Sequence, residues 1–398
     1  MDRSGTLAFV PPRYGDDVIG GAEAVIREVA HGLAGRGWSV EILTTCARDH
    51  FTWANEYPPG ASQAPDGVVL RRFPTVLDTP RAERARYEQA IANRWPMTLS
   101  DQQRWMNDDL RVPELFHFLL DRSPSYRAIV FAPYLFWTTF AGAQVDPGRS
   151  ILMPCLHDEP YAQLEIFQPV FSGVRGVWFL SDPEHELAHR RFDLPADHDV
   201  VGSGIDPPAT YDVDGFRARH GIAGRFLLYA GRREGAKGWE RMLDAFARAV
   251  RRHGLPFSLV TMGVGDVKPP DDMADRVIDL GFLPPHERDS AFAAADGYLQ
   301  PSALESFSRT VMEAWLAGTL VIANGASEVV RWHCQRSGAG LTYDDDLELE
   351  QCLLFLADAP EAAAALAAKG RDYVLTNYRP DAVLDRVEST LAEWTDAP

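Results

Sequence analysis

The sequence predicts an α/β protein built from two doubly wound, Rossmann-like domains that face a shared cleft. Short runs of β-branched and aromatic residues alternate with longer helical patterns, which is typical of parallel sheets with crossover helices. The alternation stops in a Gly- and Pro-rich run at 200–208, and a second alternating series begins at Phe226. With 398 residues, the chain is long enough for each domain to bury its own core.

We therefore expect an N-terminal domain at 1–205, a C-terminal domain at 206–378 and a final helix at 379–398 that packs back on the N-terminal domain. Ligands of such folds bind at the carboxyl ends of the strands. The loops that follow the predicted strands are therefore the candidate sites.

In the first half, strands are predicted at 7–10, 40–44, 128–132, 150–153 and 177–180. A helix is predicted at 22–36, because Val25, Val29 and Leu33 form an apolar stripe. The pattern of the aromatic- and proline-rich stretch 50–125 assigns no element.

In the second half, strands are predicted at 226–230, 257–262 and 277–280, with a helix at 239–252. A helix, a strand and a second helix follow 277–280 and reach through the paired glutamates Glu305 and Glu313, and three helical segments finish the chain.

Acidic residues outnumber basic ones, with 57 Asp and Glu against 39 Lys and Arg and a net charge of −18. A nucleic-acid partner is therefore not expected. The four cysteines lie far apart, without Cys-x-x-Cys spacing, and fit reduced thiols in the cytosol. Because the N-terminus lacks a signal-peptide pattern and no stretch is long enough to cross a bilayer, we expect a cytoplasmic protein whose membrane association is at most peripheral.

Glu305 and Glu313, eight residues apart, form the most informative motif. If a helix begins near Ser306, the first carboxylate lies at the mouth of the helix and the second about two turns in, on roughly the same face. The backbone amides of Ser306, Phe307 and Ser308 would then face an anion. Two acids around a cluster of N–H donors suit a ligand that carries both hydroxyls and phosphate.

Two glycine-containing loops follow predicted strands. In the loop 231–238, Arg232 and Lys237 can converge on one anion, although a solvated surface pair is the alternative. Gly20 and Gly21 begin the first helix, where backbone amides can approach a phosphate without a β-carbon in the way, and a simple turn is the alternative.

His157 directly follows the strand predicted at 150–153. A histidine at this position can donate to a ligand hydroxyl or shuttle a proton, and Asp158 or Glu159 could orient it. A purely structural donor is the alternative.

Together these motifs resemble those of the retaining glycosyltransferases of family 4, which have the GT-B fold. The resemblance covers nearly the whole chain. Its motifs are Gly20-Gly21-Ala22-Glu23, Gly204-Ile205-Asp206, Gly231-Arg232, Lys237-Gly238, the pair Glu305 and Glu313, Ala317-Gly318, Val321-Ile322 and Glu328. The chain departs from the commoner pattern at Ser306, Ser308, Leu320 and Ala326.

The resemblance implies transfer of a hexosyl-type sugar, with retention, from a nucleotide-diphosphate sugar bound by the C-terminal domain to an acceptor bound by the N-terminal domain. It also implies a role for each matching residue. Arg232 and Lys237 neutralise the diphosphate, Glu305 binds sugar hydroxyls and Glu313 binds ribose hydroxyls.

The resemblance further implies that the segment Ser306, Phe307 and Ser308 holds the diphosphate or sugar. Gly20 and Gly21 line the phosphate and acceptor side, and His157 contacts the sugar near the reacting centre.

No Asp-x-Asp run marks a metal-binding loop, so no cofactor and no essential metal is expected. The donor base stays open among UDP, GDP, ADP and dTDP. The acceptor stays open among a saccharide, a lipid-linked saccharide and a small natural product.

Two other functions stay open. His185, Glu186 and His189 match the His-Glu-x-x-His pattern of zinc hydrolases, although a metzincin would need its third histidine where this chain has Pro195. If that pattern is accidental, both histidines are expected to face solvent on an amphipathic helix. A nucleotide-sugar epimerase or a binding protein of the same fold is the other alternative.

Overall fold

The computed structural model describes residues 2–15, 17–18, 20–77, 81–108 and 110–395, without the side chains of 81–83. The chain divides into two compact units. The first unit comprises Met1–Gly204 together with Pro380–Pro398, and the second comprises Ile205–Arg379.

The first unit is built on an eight-stranded sheet. Its strands are β1 (Thr6–Val10), β2 (Ser39–Thr45), β3 (Gly60–Gln63), β4 (Val69–Phe73), β5 (Tyr126–Phe131), β6 (Ser150–Leu152), β7 (Gly176–Phe179) and β8 (His198–Val200). Its helices are α1 (Gly21–Gly35), α2 (Arg81–Ala92), α3 (Leu99–Asn107), α4 (Pro113–Arg122), α5 (Trp137–Gly142), α6 (Gln168–Gly173) and α7 (Asp182–Arg191).

The strand order in this sheet is β3-β4-β2-β1-β5-β6-β7-β8. Strand β3 pairs antiparallel with β4, and the other pairs are parallel. The five strands predicted from the sequence are all present within two residues of their predicted ends. The stretch that the sequence left unassigned forms β3, β4 and the three helices α2, α3 and α4.

The second unit contains a six-stranded parallel sheet. Its elements are α8 (Val213–His220), β9 (Phe226–Ala230), α9 (Trp239–His253), β10 (Ser258–Met262), β11 (Val277–Asp279), α10 (Pro285–Ala294), β12 (Gly297–Gln300), α11 (Arg309–Leu316), β13 (Leu320–Asn324), α12 (Glu328–Ser337), β14 (Gly340–Tyr343), α13 (Asp346–Asp358) and α14 (Pro360–Asn377). The strand order is β11-β10-β9-β12-β13-β14. Numbered from the first strand of the unit, this is the order 3-2-1-4-5-6 of a dinucleotide-binding Rossmann fold.

The central strands of both sheets are buried on both faces. In β1, Leu7–Val10 are all buried, and in β9 so are Phe226–Tyr229. Such continuous apolar runs are typical of parallel sheets that helices cover on either side. Helix α9 buries Met242, Phe246 and Val250, which recur at helical spacing and therefore form one apolar face.

The last helix, α15 (Pro380–Thr395), belongs to the first unit. Its Glu388 accepts hydrogen bonds from the side chains of Arg3, Arg36 and Trp38, each at 2.8 Å. These contacts attach α15 to the residues just before β1 and just after α1, 350 to 385 positions earlier in the sequence.

In the part of the chain that the structure describes, no single helix combines the length and apolar composition needed to span a membrane. One bent pair, Asp346–Asp358 followed by Pro360–Thr395, meets that test by length and composition only.

Candidate active site

The second sheet changes its direction of winding between β9 and β12, which are paired neighbours. At such a switch point the loops after the two strands run apart and leave room for a ligand. Here those loops are 231–238, between β9 and α9, and 301–308, between β12 and α11. They carry Arg232, Lys237 and Glu305, so strand order alone brings these predicted residues together.

Gly238 allows the two loops to approach closely. It has φ of 73°, in the left-handed region that favours glycine. A β-carbon at this position would lie 2.6 Å from the carbonyl oxygen of Pro301. Any side chain would therefore push apart the loops that carry Lys237 and Glu305.

Lys237 and Glu305 form an ion pair, with Nζ 2.9 Å from Oε1. Both side chains are mostly buried, at 29% and 15% exposed. The predicted cation and the predicted sugar-binding acid therefore meet in one place and hold each other.

Arg232 and Arg233, which follow β9, have different surroundings. Arg232 is 40% exposed and pairs with Glu234 at 3.2 Å. The side chain of Arg233 is 3% exposed, and it donates to the carbonyl oxygen of Gly265 at 2.9 Å and to Asp279 at 3.2 Å. Arg232 is therefore placed to meet a ligand, whereas Arg233 ties the loop to the sheet.

The prediction that a helix begins near Ser306 is wrong, because α11 begins at Arg309. Ser308 precedes the helix in a left-handed conformation, with φ of 66°. Its hydroxyl accepts a hydrogen bond from Gln300 Nε2 at 2.7 Å, which fixes this turn at the end of β12. Glu305 therefore lies in the loop, not at the mouth of the helix on a shared face with Glu313.

The three residues before the helix are all buried. Ser306 and Ser308 are 9% and 4% exposed, and Phe307 is 2% exposed. The ring of Phe307 packs edge-on against His333 and Tyr378, with centroids 5.3 and 4.9 Å away. Burial lowers the pKa of His333 to about 3, so this packing partner is neutral at physiological pH. Phe307 therefore anchors the segment, which leaves its backbone as the part that can hold a phosphate.

Glu313 lies on α11 and pairs with Arg288 of α10, with Oε1 3.3 Å from Nη2. Its side chain is 13% exposed. The two glutamates thus have different cationic partners, Lys237 for Glu305 and Arg288 for Glu313.

In the first unit, His157 follows β6 as predicted. Of the two acids proposed to orient it, Glu159 is the nearer, with Oε1 3.7 Å from His157 Nδ1. Glu159 also accepts a hydrogen bond from the Tyr134 hydroxyl at 2.9 Å. Asp158 instead pairs with Arg191 at 2.8 Å. Glu159 is therefore the partner that can hold this imidazole.

Sequence reasoning missed Glu184, which supports the His157 loop. Its buried carboxylate accepts hydrogen bonds from the backbone N–H groups of Leu156 and Leu180, both at 2.6 Å. Burial raises the pKa of Glu184 to about 8, although the backbone donors act in the opposite direction. Ser181 caps α7 and Glu184 follows three residues later, so a capping-box pattern was the signal available in the sequence.

Gly20 and Gly21 lie at the start of α1, and Gly20 is ten positions after the end of β1 in the sequence. A β-carbon at Gly21 would meet nothing within 4 Å, so the first turn of the helix is open on that side. A β-carbon at Gly20 would collide with the carboxylate of Glu23, which pairs with the buried Arg13. A side chain at Gly20 would therefore displace the Glu23 carboxylate from its ion pair with Arg13.

The second unit matches a known family. Residues 224–359 match the family model described as glycosyl transferases group 1. The chain is 31% identical over 141 residues to the 2-deoxystreptamine glucosyltransferase of Streptomyces kanamyceticus, and the match covers 32% of this chain and 36% of that protein. It thus spans about a third of that relative. Identity to the D-inositol 3-phosphate glycosyltransferase of Saccharomonospora viridis is 25% over 426 residues, covering 94% of this chain and 90% of that protein.

Solved structures resemble the chain over nearly its whole length. Sucrose-phosphate synthase from Thermosynechococcus elongatus has a TM-score of 0.75 at 17% identity, covering 99% of this chain and 100% of that one. HepE from Anabaena, in complex with UDP and glucose, has a TM-score of 0.70 at 15% identity, covering 98% and 100%. At these identities the likeness shows the fold alone.

Proposed function

We propose that this protein is a retaining glycosyltransferase of family 4. The match of residues 224–359 to the glycosyl transferases group 1 family and the GT-B fold of the chain support this proposal. The protein moves a hexosyl-type sugar from a nucleotide-diphosphate sugar to an acceptor. The observation that carries the proposal is the meeting of Lys237 and Glu305 at the switch point of the second sheet.

The reaction explains why a cation and an acid are needed side by side. The bond between the anomeric carbon and the phosphate oxygen breaks, and negative charge develops on the departing diphosphate. Lys237 and Arg232 stabilise that charge more strongly in the transition state than in the bound donor, which lowers the barrier. Glu305 accepts hydrogen bonds from sugar hydroxyls, and Glu313 accepts them from the ribose.

Retention follows from attack on the face that the diphosphate leaves. The acceptor oxygen forms the new bond to the anomeric carbon, and its proton passes to a phosphate oxygen of the leaving group. His157, oriented by Glu159, donates to a hydroxyl of the sugar near that carbon. Because Lys237 and Arg232 supply positive charge, the transfer is expected to proceed without an essential metal.

The comparisons suggest which substrates to test first. HepE has been solved with UDP and glucose and with UDP-glucose, which favours UDP-glucose as the first donor. The two named relatives act on 2-deoxystreptamine and D-inositol 3-phosphate, both of which are six-membered carbocycles that carry several polar groups. A cyclitol is therefore the first acceptor class to test, ahead of lipid-linked saccharides.

The direct test has two stages. In a thermal-shift panel of UDP, GDP, ADP and dTDP, one nucleotide should raise the melting temperature, because a ligand that binds only the native state stabilises it. The matching nucleotide-sugar is then incubated alone and with cyclitol and saccharide acceptors, and the anomeric configuration of any product is read by NMR. Consumption only with an acceptor, and with retention, is expected.

Three results would count against the proposal. Conversion of the donor sugar without an acceptor would indicate an epimerase. Binding without turnover of any acceptor would indicate a binding protein. An inverted product would remove the retaining mechanism while leaving sugar transfer intact.

A further inference from the structure

Three histidines of the first unit lie together. His185 and His189 are one turn apart on α7, and His198 is the first residue of β8. Their ring centroids are 4.5 Å apart for His185 and His189, and each lies 5.0 Å from the ring of His198. One nitrogen from each ring can be chosen so that all three lie within 4.8 Å of one another.

The fold brings these rings together through two local rules. Residues four apart on a helix point the same way, which aligns His185 with His189. Strand β8 pairs with β7 so that His198 lies beside Val177, under the helix that follows β7. The ring of His185 packs on Phe179, the last residue of β7, at 4.9 Å. The expectation that His185 and His189 both face solvent is therefore wrong for His185, which is half-buried.

The hydrogen bonds of the cluster leave nitrogen lone pairs for a ligand. His198 Nδ1 lies 2.8 Å from the carbonyl oxygen of Pro195. Because a carbonyl can only accept, Nδ1 carries the proton, and Nε2 of the neutral ring holds a lone pair. Metal-bound histidines are oriented by this kind of backbone contact. His185 Nε2 is buried and has no hydrogen-bond partner among the residues that the structure describes.

We propose that His185, His189 and His198 bind a divalent transition metal, with zinc as the best-matched ion. Three imidazoles suit zinc, and the nitrogens of a tetrahedral site with bonds of about 2.05 Å stand about 3.3 Å apart. Atoms now within 4.8 Å need only close up by about 1.5 Å or less, which rotation of side chains on a partly exposed surface can supply. A water molecule or a small anion fills the fourth position.

The metal joins α7 to the edge of the sheet. Strand β8 has three residues and pairs only with β7 among the described strands, so it is a short edge strand with one supporting neighbour. This role differs from that of a zinc hydrolase. Neither the third ligand on a strand nor the GT-B fold matches such an enzyme. The site also belongs to the first unit, whereas the proposed donor-binding side chains belong to the second.

The test uses the 398-residue chain without an affinity tag, stripped with EDTA and dialysed. Zinc chloride is titrated by isothermal calorimetry, and cobalt(II) by visible absorption, which reports tetrahedral nitrogen ligation. We expect one equivalent of zinc and a higher melting temperature in zinc than in EDTA. His189→Ala and His198→Ala should each weaken zinc binding by at least about tenfold. Loss of a group that only hydrogen-bonds a metal ligand already costs about tenfold in affinity, and each of these variants removes a ligand itself.

The matched control is His117→Ala, which removes an exposed histidine from the same unit and should bind zinc like the parent. His189 is exposed, so His189→Ala is expected to fold. Substoichiometric zinc in the parent would overturn the proposal. So would unchanged zinc affinity in both cluster variants. Neither outcome bears on sugar transfer, which is assayed separately.

Discussion

Arg232 and Arg233 show how two neighbouring residues of one type come to do different work. The sequence gives two arginines after a strand, and the resemblance selects the first. The structure explains that selection, because Arg233 points into the sheet and is fully engaged by Thr261, Gly265 and Asp279. The loss of Arg233 would leave the buried Thr261 hydroxyl, Gly265 and Asp279 without this donor, whereas the loss of Arg232 removes a charge that is 40% exposed.

Substitution of the two arginines should therefore separate activity from stability. Arg232→Ala should lower kcat/KM by about a hundredfold, as expected for a group that stabilises a leaving oxyanion. The free energy of unfolding should change little. Arg233→Ala should lower the free energy of unfolding by roughly 2–4 kcal/mol, because a buried, partnered charge is lost. Steady-state kinetics and urea denaturation measure the two effects. Equal effects of both variants on both measurements would show that the assignment is wrong.

At the scale of elements, helix α7 supports the loop after β6, which carries His157. Glu184, in the first turn of α7, accepts hydrogen bonds from two backbone N–H groups. These belong to Leu156, just before His157, and to Leu180, just after β7. Cys155 in the same loop has φ of 51°, a left-handed conformation that costs energy for a residue with a side chain. The carboxylate thus helps to hold a strained turn that presents His157.

Above pH 8, where Glu184 is ionised, Glu184→Gln should lower kcat by about tenfold or more while leaving the affinity for the nucleoside diphosphate unchanged. A glutamine places an N–H group against one of the two backbone donors, so the loop shifts and His157 is misplaced. The donor-binding side chains belong to the second unit and are unaffected. The exposed neighbour Glu186→Gln is the matched control. An unchanged kcat, or a loss confined to donor affinity, would contradict the positioning role.

Glu388 accepts three of the hydrogen bonds that hold helix α15. Burial by itself would raise the pKa of Glu388, but hydrogen bonds from Arg3, Trp38 and Arg36 outweigh it and lower the pKa from 4.5 to about 2. Between these two values the unfolded chain binds a proton that the native protein does not. The stabilisation from Glu388 is therefore complete above about pH 4.5 and is lost as the pH falls towards 2.

Glu388→Gln should lower the free energy of unfolding by up to roughly 3 kcal/mol at neutral pH, at about 1.4 kcal/mol for each pKa unit. The difference from the parent should shrink as the pH falls below 4.5. Urea denaturation at several pH values, followed by tryptophan fluorescence, measures it. Glu393→Gln on an exposed position of the same helix is the control. A pH-independent difference, or the same loss in both variants, would rule out this account.

The start of α11 shows why boundaries are harder to predict than elements. The sequence indicates a helix through Glu313, and one is present. Its first residues were misplaced because Ser308 adopts a left-handed conformation that serine rarely takes, held by Gln300 eight residues earlier. A local pattern cannot reveal a turn that depends on a contact with the preceding strand.

At the scale of the whole molecule, the alternation of strands and helices was enough to predict two Rossmann-like domains. Long apolar runs such as β1 and β9 are visible in sequence because both faces of the sheet are covered. The edge strands β3 and β8 were missed, since each is short and half polar. Strand β4 was missed as well. The prediction of helical segments alone after the paired glutamates is wrong, because β13 and β14 lie among those helices. The cluster of three histidines was missed because its third member, His198, lies on β8, a strand that the sequence did not predict.

The candidate site was predictable where strand order decides it. Arg232, Lys237 and Glu305 follow β9 and β12, and the switch point between these strands brings their loops together. The ion pair of Lys237 with Glu305 was not predictable, because it depends on the close approach that Gly238 permits.

The proposal that Lys237 and Glu305 hold a sugar donor is tested most directly by calorimetry. Binding of one nucleoside diphosphate and of its nucleotide-sugar is measured for the parent, Lys237→Ala and Glu305→Gln. Lys237→Ala should weaken the binding of both ligands by at least about tenfold, because it removes the positive charge that pairs with the diphosphate. Glu305→Gln should weaken only the nucleotide-sugar, and the bare diphosphate should bind as well or better, since Lys237 is released from its ion pair. Lys268→Ala and Glu361→Gln are exposed controls. If Glu305→Gln weakened the diphosphate as much as the nucleotide-sugar, or if neither variant changed binding, these residues would not hold a sugar donor.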